Sequence, residues 1–588
     1  MALTKVTGGL LGNLPTGTGN VAVGDTALDS IESGAENNVA IGSGAGTAIT
    51  TGDTNTGVGY KALALTTTGS TNVGLGAYAL QRNTTAAYNT GVGYDVLGSN
   101  TTGNLNVAIG YEALGTNVAG DKSVAVGVQA LYAQNPSGNA DMYNTAVGYA
   151  AGTAVTTGVH NTLIGATAGD ALTAGGSNTV LGRDALSADT LGSRAVAIGE
   201  AALQAQNFTT ATEHYNVAVG YAAGASVTTG IRNTILGGQA GDALTDADDN
   251  VAIGALALSG DTLGSQSVAI GRGALKVQNF TSATSNYNVA VGYSAGESVS
   301  TGIMNTLVGG LAGDALTDAD YNIAIGFHSL GADTLGSKSV AIGTNALFTQ
   351  NFTTATDTHN TAVGFNAGTA VTTGVDNTIL GSLAGSAITS GQSNTCLGRS
   401  TGGGITTGSN GVFIGNSSRA SAINTVAEFV VGYNQVGQGN GTITFGNSGT
   451  FSSITVGGTS ITGSSDERLK DNITDSTAGL SFIKDLRPVT FDWKQKGQIP
   501  DTFEAYKEDS TERYNDSDKT QHGFVAQEVK SVLDNHTEVK NGHGLWKEGP
   551  DGQQQVAPSA LIPMLVKAIQ EQSALITALT DRIAALEG

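Results

Sequence analysis

The sequence predicts a mostly β chain: an elongated homotrimeric β-solenoid or β-roll shaft of about 17-residue rungs, followed by a small α+β module ending in a coiled-coil helix. Three observations carry this reading. A five-residue motif, Asn-x-Ala-Val/Ile/Leu-Gly, recurs through most of the chain. Glycine accounts for 86 of 588 residues while charged residues fall to 13%, roughly twice the glycine and half the charge of ordinary domains. The repeat then stops, and charge, tryptophan and a heptad pattern enter near Ser464.

Each element follows in order. Residues 1–16 precede the repeat and read as an attachment segment. The shaft spans 17–415. Aligned on the last glycine of the motif, about 23 copies run from Gly24 to Gly415. The step is 18 once and then 17, except that every fourth step from Gly127 is 21, which gives a 72-residue beat. A 17-residue step is too short for paired helices. Within one step, Asn216-Val-Ala-Val-Gly220 alternates as a strand does, and Val and Ile at that spacing favour a strand. A small-residue segment and a Thr-Thr-Gly turn complete the step. The expected coil has two short strands and two turns. At ~4.8 Å per rung the shaft extends about 110 Å. A rung this thin has little core of its own, so parallel self-association as a trimer is expected to cover its apolar faces.

The residue four before each glycine is Asn in about 18 copies. Stacked Asn side chains form a hydrogen-bonded ladder. Ser123, Ala195, Ser267 and Ser339 interrupt it, each just before a 21-residue step, so the ladder is expected to lapse there. The long steps carry Gln134-Asn-Pro and three Gln-Asn-Phe runs that place Phe208, Phe280 and Phe352 on one register. Insertions at one register map to loops on one face. These rings either contact a receptor or fill space between neighbouring chains.

Composition excludes several classes. Glycine lacks the strict period of collagen, and a mean hydropathy near zero with periodic Val, Ile and Leu argues against disorder. A net charge of −22 leaves no basic stripe for phosphates, so no nucleic-acid partner is expected. The acidity fits solubility of a long rod. Cys396 is the single cysteine, which excludes an intramolecular disulfide and reads as a small buried residue. No stretch reaches the ~18 apolar residues of a membrane span, so no membrane insertion is expected. The first residues lack a secretory signal pattern, so an exterior position would be reached by assembly into a particle. No His or Cys set has metal-ligand spacing, and neither a metal nor a cofactor is expected. The crowded Asp242, Asp246, Asp248 and Asp249, echoed at Asp314, Asp318 and Asp320, read as solvated turns. No carboxylate pair in the shaft stands out as a glycosidase site.

Residues 416–463 contain short strand patterns between Gly, Asn and Ser turns and read as a β-rich neck or tip. From 464 to 588 the chain is non-repetitive. Its last segment, 559–588, holds a heptad seam of Ile562, Leu565, Ile569, Gln572, Ile576, Leu579, Ile583 and Leu586. A regular seam on a terminal helix argues for self-association, and Gln572 is a polar layer that sets register. The Ile and Leu order alone leans toward two strands.

The Asn-x-Ala-Val/Ile-Gly rungs resemble the β-roll heads of trimeric bacterial adhesins and the glycine-rich shafts of bacteriophage tail fibres. The end of the chain resembles the self-cleaving intramolecular chaperone of phage tail fibres and tailspikes, the S74 peptidase family. Four blocks carry that resemblance: Ser465-Asp-Glu-Arg-Leu-Lys470, Leu486-Arg-Pro-Val-Thr-Phe-Asp-Trp493, Gly523-Phe-Val-Ala-Gln-Glu-Val529, and Leu561-Ile-Pro-Met-Leu-Val-Lys-Ala-Ile-Gln570. The resemblance implies that the module trimerises the fibre, guides its folding and cuts itself off at Ser464–Ser465. Ser465 would be the nucleophile and Lys470 its base; His522, Gln527 and Glu528 either position that dyad or hold the module together. It implies a single-turnover endopeptidase with no external substrate. It further implies a virion protein made in the host cytoplasm and docked through its N-terminus to a tail or baseplate protein. Such a fibre meets a bacterial surface receptor, a glycan or an outer-membrane component. A trimeric surface adhesin and a polysaccharide-degrading tailspike are the alternatives.

Overall fold

A computed structural model describes residues 17–448, 450–455, 462–463, 467–503, 505–515, 519–539, 544–549 and 552–588. The chain divides into two compact units, Met1–Ser464 and Ser465–Gly588.

The first unit is a β-solenoid. Each rung contributes one three-residue strand, from Val21–Val23 to Val412–Ile414, and neighbours pair in parallel. Register is strict: Val217, Ala218 and Val219 face Thr234, Ile235 and Leu236. Strand alternation decides the interior. The central residue, Ala218, is fully buried, while Val217 and Val219 stay partly exposed. Behind the strand, Leu203, Val227 and Ile235 converge on Gly224. These side chains join one continuous core that extends from Leu63 to Val430, with a smaller cluster around Ala22 and Ile49. The rung therefore has a core of its own, contrary to the sequence expectation. The residue that the alternation sends inward is a small alanine in rungs such as that of Ala218 and a larger apolar residue in others, Leu163 and Ile235 among them, so small and large side chains fill the coil between them.

The expected second strand is present in the widened rungs, as two-residue pairs such as Gly192–Ser193 with Thr212–Glu213, and is reduced to single bridges at the end of the shaft, Gly403 with Arg419 and Ser409 with Val426. Elsewhere the return path is turn backbone, yet it is still bonded between rungs. Ala222, Arg232 and Gln239 have left-handed φ of 52°, 58° and 55°. Such a conformation costs about 1 kcal/mol or more in a non-glycine residue. Each offsets it with a ladder bond: Ala222 N–H to Glu200 O at 2.9 Å, Gln239 N–H to Tyr221 O at 2.8 Å, and Arg232 N–H to His214 O at 2.7 Å.

The motif glycine has two reasons to be glycine. At Gly220 φ is +143°, and a Cβ there would lie 2.4 Å from the carbonyl oxygen of Gly237 in the next rung. Backbones approach too closely for any side chain, and the same conflict passes from each motif glycine to the next.

The Asn column is a ladder, as expected. Asn233 is fully buried. Its N–H donates to Asn216 Oδ1 at 2.9 Å, its Nδ2 donates to Ala247 O at 2.7 Å, and its own Oδ1 accepts from Asn250 N–H at 3.0 Å.

The parallel ladder runs on past Gly415 into Phe429–Tyr433 and Thr442–Asn447. The motif fades there because Gly411 replaces Asn and the fully buried Phe413 replaces Ala. A Cβ on Gly411 would sit 2.5 Å from the Phe413 ring. Antiparallel pairing of Thr442–Asn447 with Thr450–Thr455 ends the parallel stack.

Replacing Asn233 with alanine orphans the Asn250 N–H and the Ala247 carbonyl. The expected cost is about 3 kcal/mol. It is confined to adjacent rungs, because solenoid stability is a nearest-neighbour sum. Hydrogen exchange should show faster opening around residues 230–250 and unchanged rates in distant rungs; uniform protection everywhere would refute the role given to the ladder.

Candidate functional site

Two places concentrate non-repetitive chemistry, the widened rungs and the C-terminal module. In the widened rungs the ladder does not lapse. The backbone N–H of Ser123, Ala195, Ser267 and Ser339 still donates to the preceding Asn Oδ1, at 2.9, 2.8, 2.9 and 2.9 Å. The missing amide is supplied by the glutamine that opens each insertion. Asn144, Asn216, Asn288 and Asn360 each donate to Oε1 of Gln134, Gln206, Gln278 and Gln350 at 2.9 Å. The sequence reading missed this because the replacement comes from eleven residues downstream in the insertion rather than from the motif position.

Three of these glutamines rest on buried carboxylates. Asp189 Oδ2 accepts from Gln206 Nε2 at 2.7 Å, and its Oδ1 accepts from the N–H of Gly192 at 3.0 Å and of Phe208 at 3.1 Å. Asp261 and Asp333 repeat the arrangement with Gln278 and Phe280, and with Gln350 and Phe352. A buried charge is tolerated when it is fully hydrogen-bonded. Phe208, Phe280 and Phe352 are only 6, 6 and 7% exposed. The rings close their own rungs, and Thr209, Thr210 and Ala211 meet solvent at the first of these loops.

One widened rung is chemically distinct. Where its siblings pair Ser267 with Asn286 and Ser339 with Thr358, it pairs Ala195 with His214. The His214 ring stacks on Phe208 with centroids 5.0 Å apart. Its Nε2 faces Gln206 Nε2 at 2.9 Å, Nδ1 faces the Asn216 N–H at 3.2 Å, and Asp189 Oδ2 is 3.8 Å away. Nδ1 accepts the Asn216 N–H, which a neutral ring with its proton on Nε2 allows and an imidazolium, protonated on both nitrogens, does not. Burial pushes the pKa from 6.5 down to about 4, against the opposing pull of Asp189.

The second unit is small and mixed. Its helices are α1 (Leu480–Asp485), α2 (Ala526–Asn535) and α3 (Ile562–Glu587). Val489–Phe491 pairs antiparallel with Gln521–Gly523, and Trp546–Glu548 with Gln554–Val556. Phe482, Leu486, Val529, Leu533, Leu545 and Leu561 lie in one core. Arg487 grips Glu528 through both carboxylate oxygens, with Nε at 2.9 Å from Oε2, and so ties the turn after α1 to the first turn of α2. That pairing depresses the Glu528 pKa. His522 and Gln527 are exposed. Lys470 follows a single turn, Glu467–Leu469, and is exposed. Ser464 and Ser465 lie outside the described residues, as does the attachment segment 1–16.

Two ties were not anticipated. His536 bridges Asp485 Oδ2 at 2.8 Å and Glu538 Oε1 at 2.7 Å, linking the end of α1 to the end of α2. Asp485 first, then Glu538, raises its pKa. Glu571 on α3 accepts the first N–H of α1, from Leu480, at 2.8 Å. A helix start without a capping side chain of its own, after Gly479, was the available signal. Trp493, Ile499, Pro500, Phe503 and Tyr514 line an open cleft of about 250 Å³. Along α3 the seam is uncovered: Ile569, Ile576 and Leu579 are 64, 60 and 61% exposed.

Residues 465–538 match the family model Peptidase_S74, the chaperone of endosialidase. The match begins at the first residue of the second unit. A match to this chaperone confined to the C-terminal module, after a β-solenoid shaft, is consistent with a phage tail fibre-like protein. Comparison with curated proteins and with solved structures gave no match. Among the described residues no cluster of His, Cys, Asp or Glu is arranged to hold a metal, and no helix is long and apolar enough to cross a membrane.

Because its folded pKa lies below 6.5, His214 favours the folded rung above that pH. That contribution is lost as pH falls from 6.5 toward 4. The loss approaches about 3 kcal/mol. Hydrogen exchange at pH 7 and pH 4.5 should show acid-induced opening of residues 189–216 but not of 261–288. The double change Ala195→Ser with His214→Asn, which copies the sibling rung, should abolish the difference. Equal acid sensitivity of the two rungs would sink the assignment.

Proposed function

We propose that this chain is a structural and receptor-binding fibre of a phage particle, assembled as a homotrimer by its chaperone domain and then severed from it. The observation that carries the reading is the coincidence at Ser464–Ser465. There the solenoid unit ends, the chaperone match begins, and the family resemblance puts the cut.

In this reading Lys470 takes the proton of the Ser465 hydroxyl, which is a weak nucleophile without a base. Oγ then attacks the Ser464 carbonyl carbon. The C–N bond breaks as the departing nitrogen takes back the proton held by Lys470, and the freed amine becomes the N-terminus of the chaperone. Water hydrolyses the resulting ester and leaves a carboxylate at Ser464. A lysine acts as a base only where burial or neighbouring cations favour its neutral form. Lys470 is exposed in the single chain, so neighbouring copies would complete its surroundings and delay cutting until assembly. His522 and Gln527 would face that assembled site, whereas Glu528 acts through its ion pair with Arg487. The exposed seam of α3 supplies a surface for association. The shaft remains in the virion, docked through residues 1–16 to a tail or baseplate protein, and meets a glycan or outer-membrane component of the host surface.

Mass spectrometry of the expressed full chain should yield two fragments that meet at Ser464–Ser465. Ser465→Ala should leave one uncut chain, and Lys470→Gln should slow the cut by orders of magnitude. Sedimentation of the shaft should give three copies. An uncut native chain defeats the cleavage reading, and a monomeric shaft defeats the fibre reading.

A further inference from the structure

The outer face of the solenoid strands carries an uncovered apolar ridge. In every rung from Val23 to Ile414, the residue just before the motif glycine is Val, Ile or Leu. None of these is buried; Ile109, Leu181 and Leu397 are 40, 44 and 45% exposed. Two residues earlier, on the same face, stands Val, Ile or Thr throughout. Neither column holds a charge in any rung, although the chain carries 26 Lys and Arg and 48 Asp and Glu. The residue after the glycine flanks the ridge, and there exposed rings such as Tyr94, Tyr221, Tyr293 and Phe365 alternate with charged residues such as Arg183 and Glu200.

The size of the ridge matters. Rungs at ~4.8 Å and columns about 7 Å apart give a strip of about 110 by 7 Å, close to 800 Å². Monomers expose apolar patches of only a few hundred Å². About 800 Å² per partner is what a stable interface buries. A globular partner cannot match a feature that repeats every rung over such a length, but another copy of this chain has the same repeat. Solubility offers no reason to keep both columns uncharged in a chain of net charge −22.

We infer that this ridge is the surface along which copies of the shaft pack, parallel and in register, about a common axis. The inference rests on the oligomeric reading proposed above and adds which face of the rung is shared. Rotational symmetry then brings the same ridge residue of different copies side by side. The charged flanking residues stay at the rim, where water screens them.

Cysteine placement in the full chain tests this. The native Cys396 is fully buried, so the native chain is the blank. Val219→Cys and, separately, Ile253→Cys change partly exposed side chains only slightly. Under mild oxidation each should link most chains into disulfide pairs, since a disulfide needs Cα atoms within about 7 Å. Thr229→Cys, on an exposed Thr-Thr-Gly turn off the ridge, should link severalfold less. If the protein sediments as an oligomer but the ridge variants link no better than Thr229→Cys, this face is wrong and the oligomer stands. If it sediments as a monomer, both fall.

Discussion

A rung this narrow can dispose of its inward-facing backbone groups only through side chains, because no water reaches them. The Asn column meets that constraint. One carboxamide satisfies a donor in the following rung, a carbonyl across its own coil, and its own backbone N–H bonds to the rung before. Each bond is worth about 1 kcal/mol, but each unmade one costs more. The ladder therefore fixes register as much as it adds stability, since a slip of one residue would strand every buried amide. The glycine column follows from the same tight stacking.

The widened rungs show how strong the constraint is. The motif position there is Ser or Ala, in register but too short to reach the next rung, and the insertion supplies the substitutes: a glutamine accepts from Nδ2 of the next Asn, and in three rungs the residue two before that Asn accepts from its N–H. The siblings then trade volume inside this network. Ser with Asn or Thr becomes Ala with His, so one rung gains an acid-sensitive core without a change in its hydrogen-bonding frame.

The chaperone domain is built on different physics. Its core is small, and its segments are tied by ion pairs and a borrowed helix cap: Arg487 with Glu528, His536 between two carboxylates, and Glu571 on the start of α1. The seam of α3 stays exposed. A module with a modest core and an unsatisfied seam is suited to act through association.

Much of this was legible in the residues. The period, the strand, the glycine and the Asn ladder are each written as a fixed spacing, and the four chaperone blocks stand in order. The repeat could not say how many strands a coil holds, because turn backbone with left-handed residues such as Ala222 and Gln239 pairs between rungs without a strand's sequence pattern. It could not say whether Phe208 faces in or out, since that depends on Asp189, a neighbour in space nineteen residues earlier. Nor did it show that Gln206 repairs the ladder. The sequence alone determined the rungs and their beat, because those depend on side chains at constant separation along one chain. The tertiary structure decided what the widened rungs bury and which apolar column is left outside, because those depend on which atoms meet once the coil has closed.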